Sequence, residues 1–169
     1  MKKILTYILI VLIIVAVAIV VLGQSKDKPI VIVKGNLAHK PLPIKLNKTN
    51  DTECAMLIKT EENAAEVVAP NGDTWFFDDP GCMVKWLQDK KWKDKATLWV
   101  HTIDTKRWIK AQNAKFTTTY HSAMHYGFGA KEKGGNNTIS FEQMVERMKR
   151  GETLANPKYR KKILGEHSE

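Results

Sequence analysis

The sequence predicts an α+β fold: two similar ββαβ-like units in one soluble domain, preceded by an N-terminal transmembrane helix. Three observations carry this. An uncharged apolar run opens the chain, a strand-strand-helix-strand order can be read between about 50 and 103, and a fainter copy of that order follows between about 104 and 151. With 169 residues and a formal net charge of +9, the chain holds about one domain once the run is set aside.

Residues 4–23, ILTYILIVLIIVAVAIVVLG, carry no charge. As a helix rising about 1.5 Å per residue they span roughly 30 Å, the hydrocarbon thickness of a bilayer. The run exceeds the roughly 7–15 apolar residues of a cleavable signal peptide and ends without a small-residue cleavage site, so residues 1–23 are expected to stay as a single-pass anchor. No cysteine follows it for acylation. Lys2 and Lys3, against the weaker opposing pull of Lys26 and Lys28, place the N-terminus in the cytoplasm and the soluble part on the far side of the membrane.

Residues 24–49 contain Pro29, Pro41 and Pro43 among lysines, which reads as a stalk with one short edge strand at Ile30–Val33. The compact domain is expected over 50–151. Its elements follow in order: strands at Cys54–Ile58 and Ala65–Val68, the turn Pro70-Asn71-Gly72-Asp73, and an aromatic strand at Thr74–Phe77. Asp79 then caps a helix that has Pro80 at its first position, where the missing N–H costs nothing. Met83, Trp86 and Leu87 give that helix an apolar face, and Ala96–Ile103 closes the first unit as a strand. In the second unit, Trp108-Ile109 and Lys115–Tyr120 read as extended, a glycine-rich stretch runs to Gly135, and a helix spans about Ser140 to Arg150. Ser140 and Gln143 form its capping box and Gly151 its stop. Residues 152–169 read as a basic tail. Its lysines are interspersed with Glu152, Glu166 and Glu169 and no nucleic-acid fingerprint accompanies them, so no nucleic-acid partner is expected.

The residues that can carry chemistry are few. Cys54 and Met56 stand two apart; in a strand both sulfurs leave one face, and a thiolate with a thioether suits cuprous copper better than hard cations. Two buried strand residues would have the same spacing. Further ligands cluster in His121-Ser122-Ala123-Met124-His125. If that segment is extended, His121 and His125 share one face and Met124 the other, so it cannot present all three together. Cys82 falls in the first turn of the helix opening at Pro80, as a packing residue or as a disulfide partner for Cys54. A thiol enzyme can be written with Cys54 or Cys82 as nucleophile, His101 or His125 as base and Asp78 as orienter, but the sequence does not bring them together.

With these residues in view, the chain resembles the NosL-type copper-binding proteins, accessory proteins of nitrous oxide reductase biogenesis in denitrification. The resemblance covers about residues 50–150. It rests on Cys54-Ala55-Met56-Leu57-Ile58, on Gly72–Trp75 followed by Phe77-Asp78-Asp79-Pro80-Gly81-Cys82-Met83, and on Met124–Gly129. It implies a two-unit ββαβ fold and Cu(I) held by Cys54 and Met56. The third ligand it implies is Met124 from the second unit, with His125 and then His121 as runners-up. Two positions depart from the family pattern: Ala55 replaces the glycine common in the triplet, and His125 follows Met124 where glycine is usual.

The function so implied is that of a membrane-anchored periplasmic Cu(I) metallochaperone. It would pass copper by ligand exchange, without enzymatic turnover, to an acceptor protein: nitrous oxide reductase or its ABC-type maturation complex at the inner membrane. A metal-free docking subunit of a membrane respiratory complex is the alternative, and a thiol-dependent enzyme the next.

Overall fold

In the computed structural model, residues 2–23 and 29–165 are described, with 2, 3, 5, 6, 9 and 19–23 given by their backbone alone. Helix α1 covers Lys2–Gly23. Taken over the described residues, no helix is long and apolar enough to cross a membrane, so the expected span rests on the sequence. The described side chains of α1, among them Ile4, Tyr7, Leu12, Ile14 and Val17, are exposed.

The body, residues 29–165, is α+β and holds two antiparallel sheets. The first has five strands: β1 (Ile32–Val33), β2 (Ala65–Val68), β3 (Thr74–Phe77), β4 (Thr97–His101) and β5 (Trp108–Lys110), in the order β1-β3-β2-β4-β5. Helix α2 (Pro80–Leu87) links β3 to β4. Register determines what packs: Ala65 lies opposite Phe77 and Val100, and Val67 opposite Trp75 and Leu98. These residues therefore share one face, which α2 covers with Cys82, Met83, Val84 and Leu87.

The first unit thus has the expected ββαβ order, with β2, β3 and β4 where the alternation placed them and Asp79 as cap, its carboxylate accepting from the Gly81 N–H at 2.8 Å. The second unit differs from the expectation. Strand β5 joins the first sheet by pairing with β4, and β6 (Lys115–Phe116) stands between β7 (Ala130–Lys131) and β8 (Ile139–Ser140) in a three-stranded sheet. Helix α3 (Phe141–Lys149) follows, and among the described residues no strand comes after it. Its capping box at Ser140 and Gln143 is present as expected, and Phe141 and Met144 join the central core with Phe116, Phe128 and Ala130.

Two further segments depart from the reading of the sequence. Residues 29–49 do not stand off as a stalk: they cover the outer face of the first sheet, where Ile44 packs with Ile58, Ala64 and Phe76, flanked by Ile30, Val33 and Leu42. This is why all four residues of β2 are buried. The expected positions 24–28 lie outside the described residues. At the other end, Leu154 is buried and its N–H donates to the Tyr126 carbonyl at 3.1 Å. Helix α4 (Pro157–Leu164), capped by Asn156, then occupies the middle of the expected basic tail.

Candidate metal centre

Cys54 and Met56 do not lie in a strand. The apolar letters of Cys54–Ile58 read as one, but the backbone reverses: the Ala55 N–H donates to the Asp51 carbonyl at 3.0 Å and the Asp51 N–H to the Met56 carbonyl at 2.8 Å. Ala55 takes a left-handed conformation, φ 61°, to make that reversal. The Asp51 side chain closes the loop, Oδ1 accepting from the N–H groups of Glu53 at 2.7 Å and Cys54 at 2.9 Å. Cys54 is half-buried, whereas Met56 is 40% exposed, so the thioether stands at the rim and the thiol beneath it. The Met56 N–H is turned toward the Cys54 sulfur.

The β3–α2 junction comes up against this loop. One ligand atom from each of Asp51, Cys54, Asp78 and Cys82 lies within 4.8 Å of every other, a group that can hold a metal ion. The four are not equivalent. Both oxygens of Asp51 are already committed to backbone amides, Oδ2 taking the Asp78 N–H at 2.9 Å. Asp78 Oδ1, by contrast, is buried without a hydrogen-bond partner. Burial, reinforced by the facing Asp51 carboxyl and by Asp79, raises the Asp78 carboxyl well above the ordinary carboxylate range. Burial also pushes the Cys54 thiol up to about 11, opposed by the Met56 N–H and aided by Asp51 and Asp78. The Cys82 thiol is raised as well, first by burial and then by Asp51 and Asp79. A place in the first turn of a helix lowers a thiol, but at Cys82 the dry, acidic surrounding outweighs it.

The second unit contributes the loop 120–127. Its segment 121–125 is a turn and not extended: the His125 N–H donates to the Ser122 carbonyl at 3.0 Å and His125 has φ 56°. Alternation of faces does not apply there. The rings of His121 and His125 instead meet edge-on with centroids 4.7 Å apart, and Met124 is half-buried against the same core as Cys54. Asp79 anchors the loop, for its Oδ2 accepts from the Met124 N–H at 3.2 Å. Gly81 lets the loop close on α2, since a Cβ there would lie 2.3 Å from the Tyr126 ring.

An open cleft of about 740 Å³ runs between the two loops, lined by Met56, Asp78, Asn63, Tyr120 and His121. Of the sequence-predicted residues, His121 thus borders the same cleft as Met56. His125 lies in a neighbouring depression with Leu154 and Arg160. His101 is elsewhere, packed against Trp108 with Glu61 4.0 Å from its Nε2, so it does not face Cys54 or Cys82 as a base. Sequence reasoning passed over Asp51, whose signal was an Asp two residues before Glu53, the spacing of an Asx turn.

Comparison of the chain with family models, with curated proteins and with solved structures finds no match in any of the three.

Proposed function

We propose that the protein is a membrane-anchored carrier of Cu(I), with Cys54 and Met56 as the primary ligands and Met124 as the third. The observation that carries the reading is the approach of two distant loops: the 51–57 loop brings a half-buried thiol with an exposed thioether, Met56 and His121 border one cleft, and Met124 of the 120–127 loop packs against the same core as Cys54. Soft sulfur ligands select cuprous copper over zinc, calcium or magnesium. The buried Asp78 oxygen without a partner is a free acceptor beneath the thiol, and a cation there would satisfy it. A thioether at the rim lets an acceptor's ligand enter before the donor's leave, so transfer proceeds by ligand exchange with no covalent turnover.

The backbone supports the NosL-type resemblance independently. Ala55 and His125, the two positions where that family has glycine, are both left-handed, with φ 61° and 56°; glycine takes up such a conformation at no steric cost. The anchor is proposed on the sequence of α1 and on its exposed apolar side chains, which call for a lipid surrounding. By the same resemblance the acceptor is nitrous oxide reductase or its maturation complex, in the bacterial periplasm.

Titration of the full chain with Cu(I) against a cuprous chelator tests the reading. One Cu(I) per chain, with Zn(II) bound far more weakly, is expected; equal affinity for zinc, or no competition with the chelator, would contradict it.

A further inference from the structure

The proposed copper site contains a second thiol that copper binding does not require. Cys82 is fully buried in the first turn of α2, and its sulfur and that of Cys54 lie within 4.8 Å of each other. A disulfide needs about 2 Å between sulfurs, so pairing requires the two side chains to turn toward each other. The two thiols also differ in access: Cys54 is half-buried and Cys82 has no exposed surface. Among the described residues they are the only free cysteines.

We propose that Cys54 and Cys82 form a reversible dithiol/disulfide pair that opens and closes the Cu(I) site, an inference that rests on the copper reading above. In the dithiol form Cys54 can give up its proton to bind Cu(I). In the disulfide form its sulfur is bonded to Cys82 and is no longer a thiolate ligand. What then remains beneath Met56 is Asp51 and Asp78, a hard donor pair that does not favour Cu(I). The oxidant is an external disulfide. The Cys54 thiolate attacks it, breaking its S–S bond and releasing one thiolate. Cys82 then gives up its proton as its sulfur attacks the Cys54 sulfur of the mixed disulfide, forming the internal bond and expelling the second thiolate, which is released as a thiol. The protein pair loses two electrons, the external disulfide gains two, and the two protons leave with the released thiols. Exposure sets the order, because only Cys54 can meet the external disulfide and only Cys82 is placed to resolve it. Bound Cu(I) occupies the attacking sulfur and blocks the first step.

The test uses the full chain in detergent, equilibrated in glutathione redox buffers, with intact mass after alkylation and Cu(I) competition read on the same samples. The wild-type protein is expected to lose both alkylatable thiols together, with a mass lower by two hydrogens and no glutathione adduct. Its Cu(I) affinity should fall at least about 10-fold and return on reduction with dithiothreitol. Protein loaded with Cu(I) beforehand should resist oxidation, and Cys82→Ala should stop at a glutathione adduct on Cys54. A stable adduct on wild-type Cys54 with Cys82 still alkylatable would overturn the proposal, as would a disulfide form that binds Cu(I) unchanged. Reduced protein that pairs its thiols on oxidation yet never binds Cu(I) overturns the copper reading and leaves the disulfide no site to gate.

Discussion

The Asp78 backbone N–H donates to Asp51 Oδ2 at 2.9 Å, across a separation of 27 positions, while the other oxygen of Asp51 holds the amides of Glu53 and Cys54. One buried carboxylate therefore folds the thiol-bearing loop and fastens it to the helix that carries Cys82. The sulfur of Cys54 is located by this clamp, because no strand ladder supports residues 52–56.

Asp51→Ala removes the two oxygens that accept three hydrogen bonds at a position that is 1% exposed. At about 1 kcal/mol per bond, the variant is expected to lose about 2–4 kcal/mol of stability in urea denaturation, and its Cys54 should be alkylated faster. An unchanged midpoint and alkylation rate would show that the loop holds itself.

Ala55→Gly should raise stability. A left-handed L-residue costs about 1–2 kcal/mol, and the greater freedom of glycine in the unfolded chain returns part of that, so a net gain of about 0.5–1 kcal/mol is expected. His125→Gly should behave likewise, less whatever its contact with His121 contributes. A loss of stability in both variants would contradict the strain argument.

How much could be read from the sequence depended on whether the deciding interaction was local. The Asp79 cap, the capping box at Ser140 and the strands at 65–68 and 74–77 follow from neighbours in the chain, and they stand where they were expected. The Cys54–Ile58 stretch has the composition of a strand, but a carboxylate and a positive φ reverse it. The outer cover at 29–49 hid behind prolines and lysines. Its signal was in β2, where Ala65-Glu66-Val67-Val68 lacks the clean alternation of a sheet with one wet face. At the centre itself Cys54 was legible from its motif, whereas the second task of Asp79, holding the Met124 amide, needs the two units docked.

Glu66 gives the body a pH dependence. It is fully buried, with Oε2 accepting from the Leu42 N–H at 3.0 Å and Oε1 unpartnered. Burial, with a smaller addition from Glu61 and the Leu42 bond opposing, lifts its carboxyl from 4.5 to about 8. The unfolded chain releases this proton above pH 4.5 while the folded chain keeps it to about 8, so the folded state binds more protons across that window and stability falls as pH rises through it. Asp78, also raised, adds a slope of the same sign. Glu66→Gln keeps an acceptor for Leu42 and removes the ionisation. It should flatten the stability slope between about pH 5 and 8 and gain on the order of 1–3 kcal/mol at pH 8. Parallel slopes for variant and parent in urea melts would refute this.

The third ligand can be identified by pH. Imidazole has a reference pKa of about 6.5 and must be neutral to bind, whereas a thioether does not titrate. In Cu(I) competition titrations at several pH values, Met124→Leu is expected to weaken binding about 10-fold or more, while His121→Gln and His125→Gln track the parent. If Met124→Leu binds like the parent and a histidine variant loses a proton dependence below about pH 6.5, that histidine is the ligand.

In the proposed site Cys54 and Met56 bind one Cu(I) through sulfur. X-ray absorption at the copper edge tests this most directly, on the full chain loaded with one equivalent of Cu(I) and compared with Met56→Leu. A low-coordinate shell made of sulfur is expected, with one sulfur fewer in the variant. A shell of oxygen or nitrogen, unchanged when Met56 is replaced, would contradict it.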